Sequence, residues 1–122
     1  MELADNSSTN PLLERLQELE RETDFEFVVE LIEIYLHETP KHIQLITDAL
    51  KAQDRSALTI ASHTLKGSSL NLGAKHLGAL CFVLEELGRS GHPIPAETTT
   101  GEIEKEFERI LVMLNTFKQS KH

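Results

Sequence analysis

From Leu12 to Phe117 the apolar residues of this chain recur at three- and four-residue intervals, and in no segment do they alternate one by one. Three-and-four spacing lines one face of an α-helix, whereas alternation lines one face of a strand. The chain is therefore expected to be all-α. Asn10 and Pro11 supply a cap and a first-turn proline, and Leu12, Leu13, Leu16 and Leu19 then mark a helix over residues 10–22. Asp24 can cap a second helix, in which Phe25, Val28, Val29, Ile32 and Leu36 keep the spacing. Pro40 lacks an amide hydrogen, so Thr39 and Pro40 are expected to end that helix and begin a third with Ile43, Ile46, Ala49 and Leu50 on its stripe.

Asp54 opens a fourth helix over residues 55–71, and Asn71-Leu72-Gly73 stops it. A fifth covers residues 74–87, with Leu77, Leu80, Cys81, Leu84 and Leu87 on one face before Gly88. Residues 90–95, containing Gly91, Pro93 and Pro95, read as a loop. The last helix carries Ile103, Phe107, Ile110, Leu111, Leu114 and Phe117, and the poor helix formers at 98–101 blur its start. Short links favour antiparallel neighbours, which makes the expected architecture an antiparallel four-helix bundle with additional short N-terminal helices. A chain of 122 residues can bury one core of ordinary size. We assign residues 1–9 to a flexible lead-in and 10–122 to a single domain.

Charge and cysteine content narrow the function. A formal net charge of −8 repels nucleic acid and anionic lipid surfaces. No apolar run approaches the ~18–20 residues that span a bilayer, and the acidic start lacks the charge pattern of a signal peptide. These features point to a cytoplasmic protein that binds neither membrane nor nucleic acid, and Met1 favours a free-standing one. The single cysteine, Cys81, lies between Leu80 and Phe82 and reads as a small buried hydrophobe.

The fourth helix carries the most information. At about 100° per residue, Leu58, Ala61, Leu65 and Leu72 fall on one side with Ser68 and Ser69 flanking them, and that side must face the core. His63 falls opposite, on a strip shared with Ser56, Thr59, Lys66, Gly67 and Leu70. An imidazole there reaches solvent, and its neutral form offers a nucleophilic nitrogen near pH 7. Lys66, one turn on, can place an ammonium against an anion on the ring. Gly67 costs about 1 kcal/mol relative to alanine inside a helix, and the gap it leaves lets a partner bring a reacting atom close. Leu70, apolar on the same strip, fits a docking patch together with Ser56 and Thr59.

The run His63-Thr64-Leu65-Lys66-Gly67-Ser68-Ser69, followed by Asn71-Leu72-Gly73-Ala74, resembles the signature of histidine-containing phosphotransfer (HPt) domains. Further family-like stretches are Asp24 to Phe27, Thr39-Pro40, Leu80-Cys81 to Leu84-Glu85, Leu87-Gly88-Arg89 and Glu106-Phe107, so that the resemblance runs from about Pro11 to Phe117. It implies a phosphorelay intermediate. His63 then accepts a phosphoryl group from a receiver-domain aspartate and gives it to another receiver, Lys66 stabilises it, and Gly67 admits the receiver. The implied partners are receiver domains of a hybrid histidine kinase and a response regulator, with a monomeric carrier between them. The chain itself is expected to hold no cofactor, Mg²⁺ being bound by the receiver. Glu85 departs from the pattern, because the family often has a glutamine there that hydrogen-bonds the imidazole. A carboxylate could hold the Nδ1 proton but also repel a phosphoryl group.

No nucleotide loop of the GxxxxGK[ST] type is present, which fits a phosphocarrier rather than a kinase. Three rival readings remain. An inert helical adaptor could use Leu12, Leu13, Leu16 and Leu70 against a partner helix. A metal site could use His37 and His42, although Pro40 separates them and no HExxH pattern occurs. Ser68 or Ser69 could serve as a hydrolase nucleophile, although both are expected to face the core.

Overall fold

The computed structural model describes residues 10–92 and 96–120, and the expected lead-in at 1–9 and residues 93–95 of the expected loop lie outside the described residues. Helix α1 spans Pro11–Glu22, α2 Phe25–Ala52, α3 Arg55–Leu72, α4 Lys75–Ser90 and α5 Ala96–Lys118. Among the described residues there is no strand. The first three helices begin as their sequences require. Asn10 accepts from the Leu13 amide at 3.2 Å, Asp24 from Phe27 at 2.8 Å and Asp54 from Ala57 at 3.0 Å. Each bond satisfies one amide that the helix itself leaves without a partner.

Pro40 does not end a helix. It lies inside the continuous 28-residue α2, exposed, while Thr39 beside it is buried. A proline on the solvent side of a helix leaves its orphaned carbonyl open to water, and burial of Ile32, Tyr35, Ile43 and Ile46 on either side holds the segment together. The expected second and third helices are thus one. The bundle is formed by α2, α3, α4 and α5, and among the described residues α1 is the short helix that precedes it. Two-residue links at 53–54 and 73–74 reverse the chain, with Gln53 (φ 55°) and Gly73 (φ 94°) in the left-handed conformation. Glycine is required at 73, since a Cβ there would lie 2.6 Å from Arg15 Cβ and 2.9 Å from the Pro11 carbonyl oxygen.

Two other boundaries move. Helix α4 passes through Gly88 to Ser90, and α5 starts at Ala96, ahead of the weak helix formers. Gly88 stays helical because it is a packing residue. A Cβ there would overlap the Thr59 hydroxyl and sit 3.1 Å from the Arg55 carbonyl oxygen, so α3 and α4 touch backbone to backbone at this point. Arg55 clasps the same end, donating to the Leu87 carbonyl at 2.7 Å and to that of His92. A cation on the last carbonyls of a helix is favourably placed. One core joins all five helices, including Leu12 and Leu16 of α1, Ile32 and Ile46 of α2, Leu58 and Leu65 of α3, Leu77 and Leu84 of α4, and Ile103, Ile110 and Leu114 of α5.

Candidate functional site

Helix α3 presents its faces nearly as its sequence pattern requires. Leu58, Ala61, Leu65 and Leu72 are buried, and His63 projects outward with its side chain 64% exposed. Ser69 is also buried, and its hydroxyl shares a 2.8 Å hydrogen bond with Tyr35 of α2. Burial pushes the Tyr35 hydroxyl up to about 12, which keeps it protonated. Ser68, expected beside the core, is exposed and donates to the Leu65 carbonyl at 3.2 Å. Its direction lies just beyond the edge of the buried face, and neither serine meets a base.

The imidazole is held from α4. His63 Nδ1 lies 2.9 Å from Glu85 Oε2. Because a carboxylate only accepts, Nδ1 carries the proton and donates, which leaves the Nε2 lone pair facing solvent. Glu85 is 1% exposed, and a buried charge needs counter-charges. Lys66 Nζ lies 2.8 Å from Oε1, and the Arg89 guanidinium donates to Oε2 at 2.8 Å. The Lys66 ammonium beside it, with His63 and Arg89, holds the Glu85 carboxyl below its ordinary 4.5 although burial acts in the opposite sense. Among the described residues Oε1 has no hydrogen-bond partner, and the ion pair with Lys66 is what answers that oxygen.

Lys66 is therefore already engaged, not waiting free in solvent. Its side chain is 21% exposed and its ammonium stands 5.2 Å above the centre of the Phe82 ring. That cation–π contact steadies the ammonium beside Glu85. Gly67 is bare as expected: a Cβ there would meet nothing within 4 Å.

Three residues of the expected docking strip behave differently. Ser56 is exposed. Thr59 packs on Gly88, its hydroxyl donating to the Arg55 carbonyl at 2.9 Å. Leu70, although 48% exposed, lies over Gly78, where a Cβ would come within 2.5 Å of its methyl group. Thr59 and Leu70 thus belong to the seam between α3 and α4. A helical projection gives direction and not the position of the neighbouring helix, and two glycines in α4 draw that neighbour unusually close. Leu12 and Leu16, which an adaptor reading would offer to a partner, are consumed by the core.

The sequence reading passed over Phe82 and Arg89 as site residues. The signal was available, since 82, 85 and 89 fall at i, i+3 and i+7 on one face of α4, but it acquires meaning only once that face is known to oppose His63. His37 and His42 stand on one unbroken helix, yet five residues at about 100° each leave them ~140° apart. Among the described residues no group of three or more His, Cys, Asp or Glu side chains gathers as a metal site would.

The sequence matches the Hpt domain over residues 30–112, a span that includes His63, Lys66, Glu85 and Arg89. It is 26% identical over 99 residues to the phosphorelay intermediate protein rdeA of Dictyostelium discoideum, covering 81% of this chain and 39% of that protein. The chain thus spans about two fifths of the length of that relative. It is 28% identical over 107 residues to histidine-containing phosphotransfer protein 4 of Arabidopsis thaliana, covering 86% and 84% of the two chains. The fold matches the crystal structure of histidine-containing phosphotransfer protein B from Pseudomonas aeruginosa PAO1 with a TM-score of 0.83 and 26% identity, over 89% of this chain and 94% of that one.

Proposed function

Since this chain belongs to the Hpt domain family, we propose that it is a phosphorelay intermediate, accepting a phosphoryl group on Nε2 of His63 and passing it on. The observation that carries this reading is the Glu85–Nδ1 hydrogen bond. It fixes the tautomer whose lone pair points outward, on an imidazole that stands clear of the bundle beside the gap at Gly67.

The donor and acceptor in this proposal are receiver domains, one of a hybrid histidine kinase and one of a response regulator. In the forward step Nε2 attacks the phosphorus of an aspartyl phosphate in line. The bond to the aspartyl oxygen breaks as the P–N bond forms, and Nδ1 keeps its proton against Glu85. Lys66 on this chain offsets the charge of the transferring group, and a Mg²⁺ ion held by the receiver would supply further positive charge. The reverse transfer uses the same atoms. The protein then acts as a monomeric cytoplasmic carrier with no kinase activity of its own. In keeping with that setting, no described helix is long and apolar enough to cross a membrane.

The test is to incubate the protein and its His63→Gln variant with a phosphorylated receiver domain. Acid-labile label is expected on the wild type and absent from the variant. Stable labelling of the variant, or receiver binding without any transfer to the wild type, rejects the assignment and leaves a binding module.

A further inference from the structure

Glu85 is an unusual neighbour for a residue that is to carry a dianion, and its surroundings show how the chain accommodates it. Its two oxygens are used differently. Among the described residues Oε2 takes His63 Nδ1 at 2.9 Å and Arg89 at 2.8 Å, whereas Oε1 faces Lys66 at 2.8 Å. Nδ1 is the ring nitrogen turned to Glu85 on a side chain that is 64% exposed, so an ammonium that turns to a phosphoryl group on the other nitrogen, Nε2, moves off Oε1. A buried carboxylate that loses a cation holds the remaining ones more strongly or resists the loss. The partners left to hold it are His63 Nδ1 and Arg89, and of these Arg89 is the permanent cation, anchored one helical turn along α4 and braced by Glu86 at 3.2 Å.

Building on the relay reading above, we propose that Arg89 is a positioning residue that retains Glu85 when Lys66 leaves it, so that the buried carboxylate partitions Lys66 between itself and a phosphoryl group on His63. Transfer to Nε2 with Nδ1 still protonated places positive charge on the ring, and that charge also faces Oε2. Glu85 therefore exchanges Lys66 for a cationic imidazole while keeping Arg89 throughout. Lys66 becomes available without leaving a bare charge in the bundle. No proton leaves the site, and nothing is oxidised or reduced.

The experiment measures the fraction of protein phosphorylated at equilibrium with a phosphorylated receiver, in four variants beside the wild type. Arg89→Ala is expected to lower the phosphorylated-to-free ratio about two- to fivefold, the upper part of the range for one partly exposed charge contact. Arg89→Lys, which keeps the cation, is expected to restore most of it. In a Glu85→Gln background the Arg89→Ala change is expected to have no effect, because no charge remains to be held. Arg89 is 56% exposed, and melting temperatures of all variants confirm that each is folded.

A wild type that takes no label rejects both the relay reading and this inference. If the wild type labels and Arg89→Ala matches it, or if Arg89→Ala and Glu85→Gln lower the ratio independently, this inference alone fails.

Discussion

At Glu85 a carboxylate shares its buried surroundings with an imidazole, an ammonium and a guanidinium, all three paired with its ionised form. Its acidity is held below the ordinary 4.5, first by Lys66, so the native state binds fewer protons than the unfolded chain between the two values. The resulting stability is fully present above about pH 4.5 and is lost as the pH falls through the native value. Whatever the offset between wild type and Glu85→Gln at pH 7, the wild type is therefore expected to lose ground to the variant only below about pH 4.5. Urea midpoints of the two proteins from pH 3 to 7 measure this, and curves that stay parallel would contradict it. Cys81, one turn before Glu85, is fully buried, and burial first, then the Glu85 charge, pushes its thiol up to about 12. At pH 8 a disulfide reagent is expected to modify the native protein at least about a hundredfold more slowly than the urea-unfolded chain. Equal rates would place the thiol at the surface.

Two glycines on facing helices show how opposite roles follow from the same residue type. Gly67 meets nothing within 4 Å, so Gly67→Ala gains helix propensity without strain and is expected to stabilise by up to ~1 kcal/mol. Gly88→Ala gains the same propensity but drives a methyl group into Thr59 and the Arg55 carbonyl. Overpacking at such a contact costs about 1–3 kcal/mol, and a net fall in stability is expected. Melting temperatures of the two variants should move in opposite directions, and a rise for both would show that α3 and α4 can part at little cost. The sequence alone could not distinguish the two glycines, because the difference lies in what stands across from each. For the same reason the exposed direction of His63 and the buried direction of Leu65 were legible from spacing, while the engagement of Thr59 and Leu70 with α4 was not. Pro40 was misleading in another way. Its local rule predicts a break, but the buried stripe from Ile32 to Ile46 continues in phase across it, and tertiary packing outweighs a local propensity.

The molecule carries a net charge of −8, yet the face where α3 meets α4 presents His63 with Lys66 and Arg89 around the buried Glu85 carboxylate. Acidic composition disfavours phosphate backbones as partners, but it says nothing about a local arrangement made by two helices distant in sequence. That arrangement depends on the bundle being one cooperative body. The Hpt match begins at residue 30, after α1, so α1 could be an appendage that frays independently. The packing argues otherwise. Leu12 and Leu16 are buried in the same cluster as Leu65, Leu77 and Leu114, and Arg15 donates to the Asn71 carbonyl at 3.0 Å, where α3 ends. Leu16→Ala is therefore expected to destabilise the entire protein by about 2–5 kcal/mol, the usual cost of a fully buried leucine. Far-ultraviolet circular dichroism and the Tyr35 signal should report one coincident transition in both wild type and variant, shifted to lower denaturant in the variant. A separate early loss of helicity corresponding to the 12 residues of α1, with the main midpoint unmoved, would instead make α1 an independent attachment.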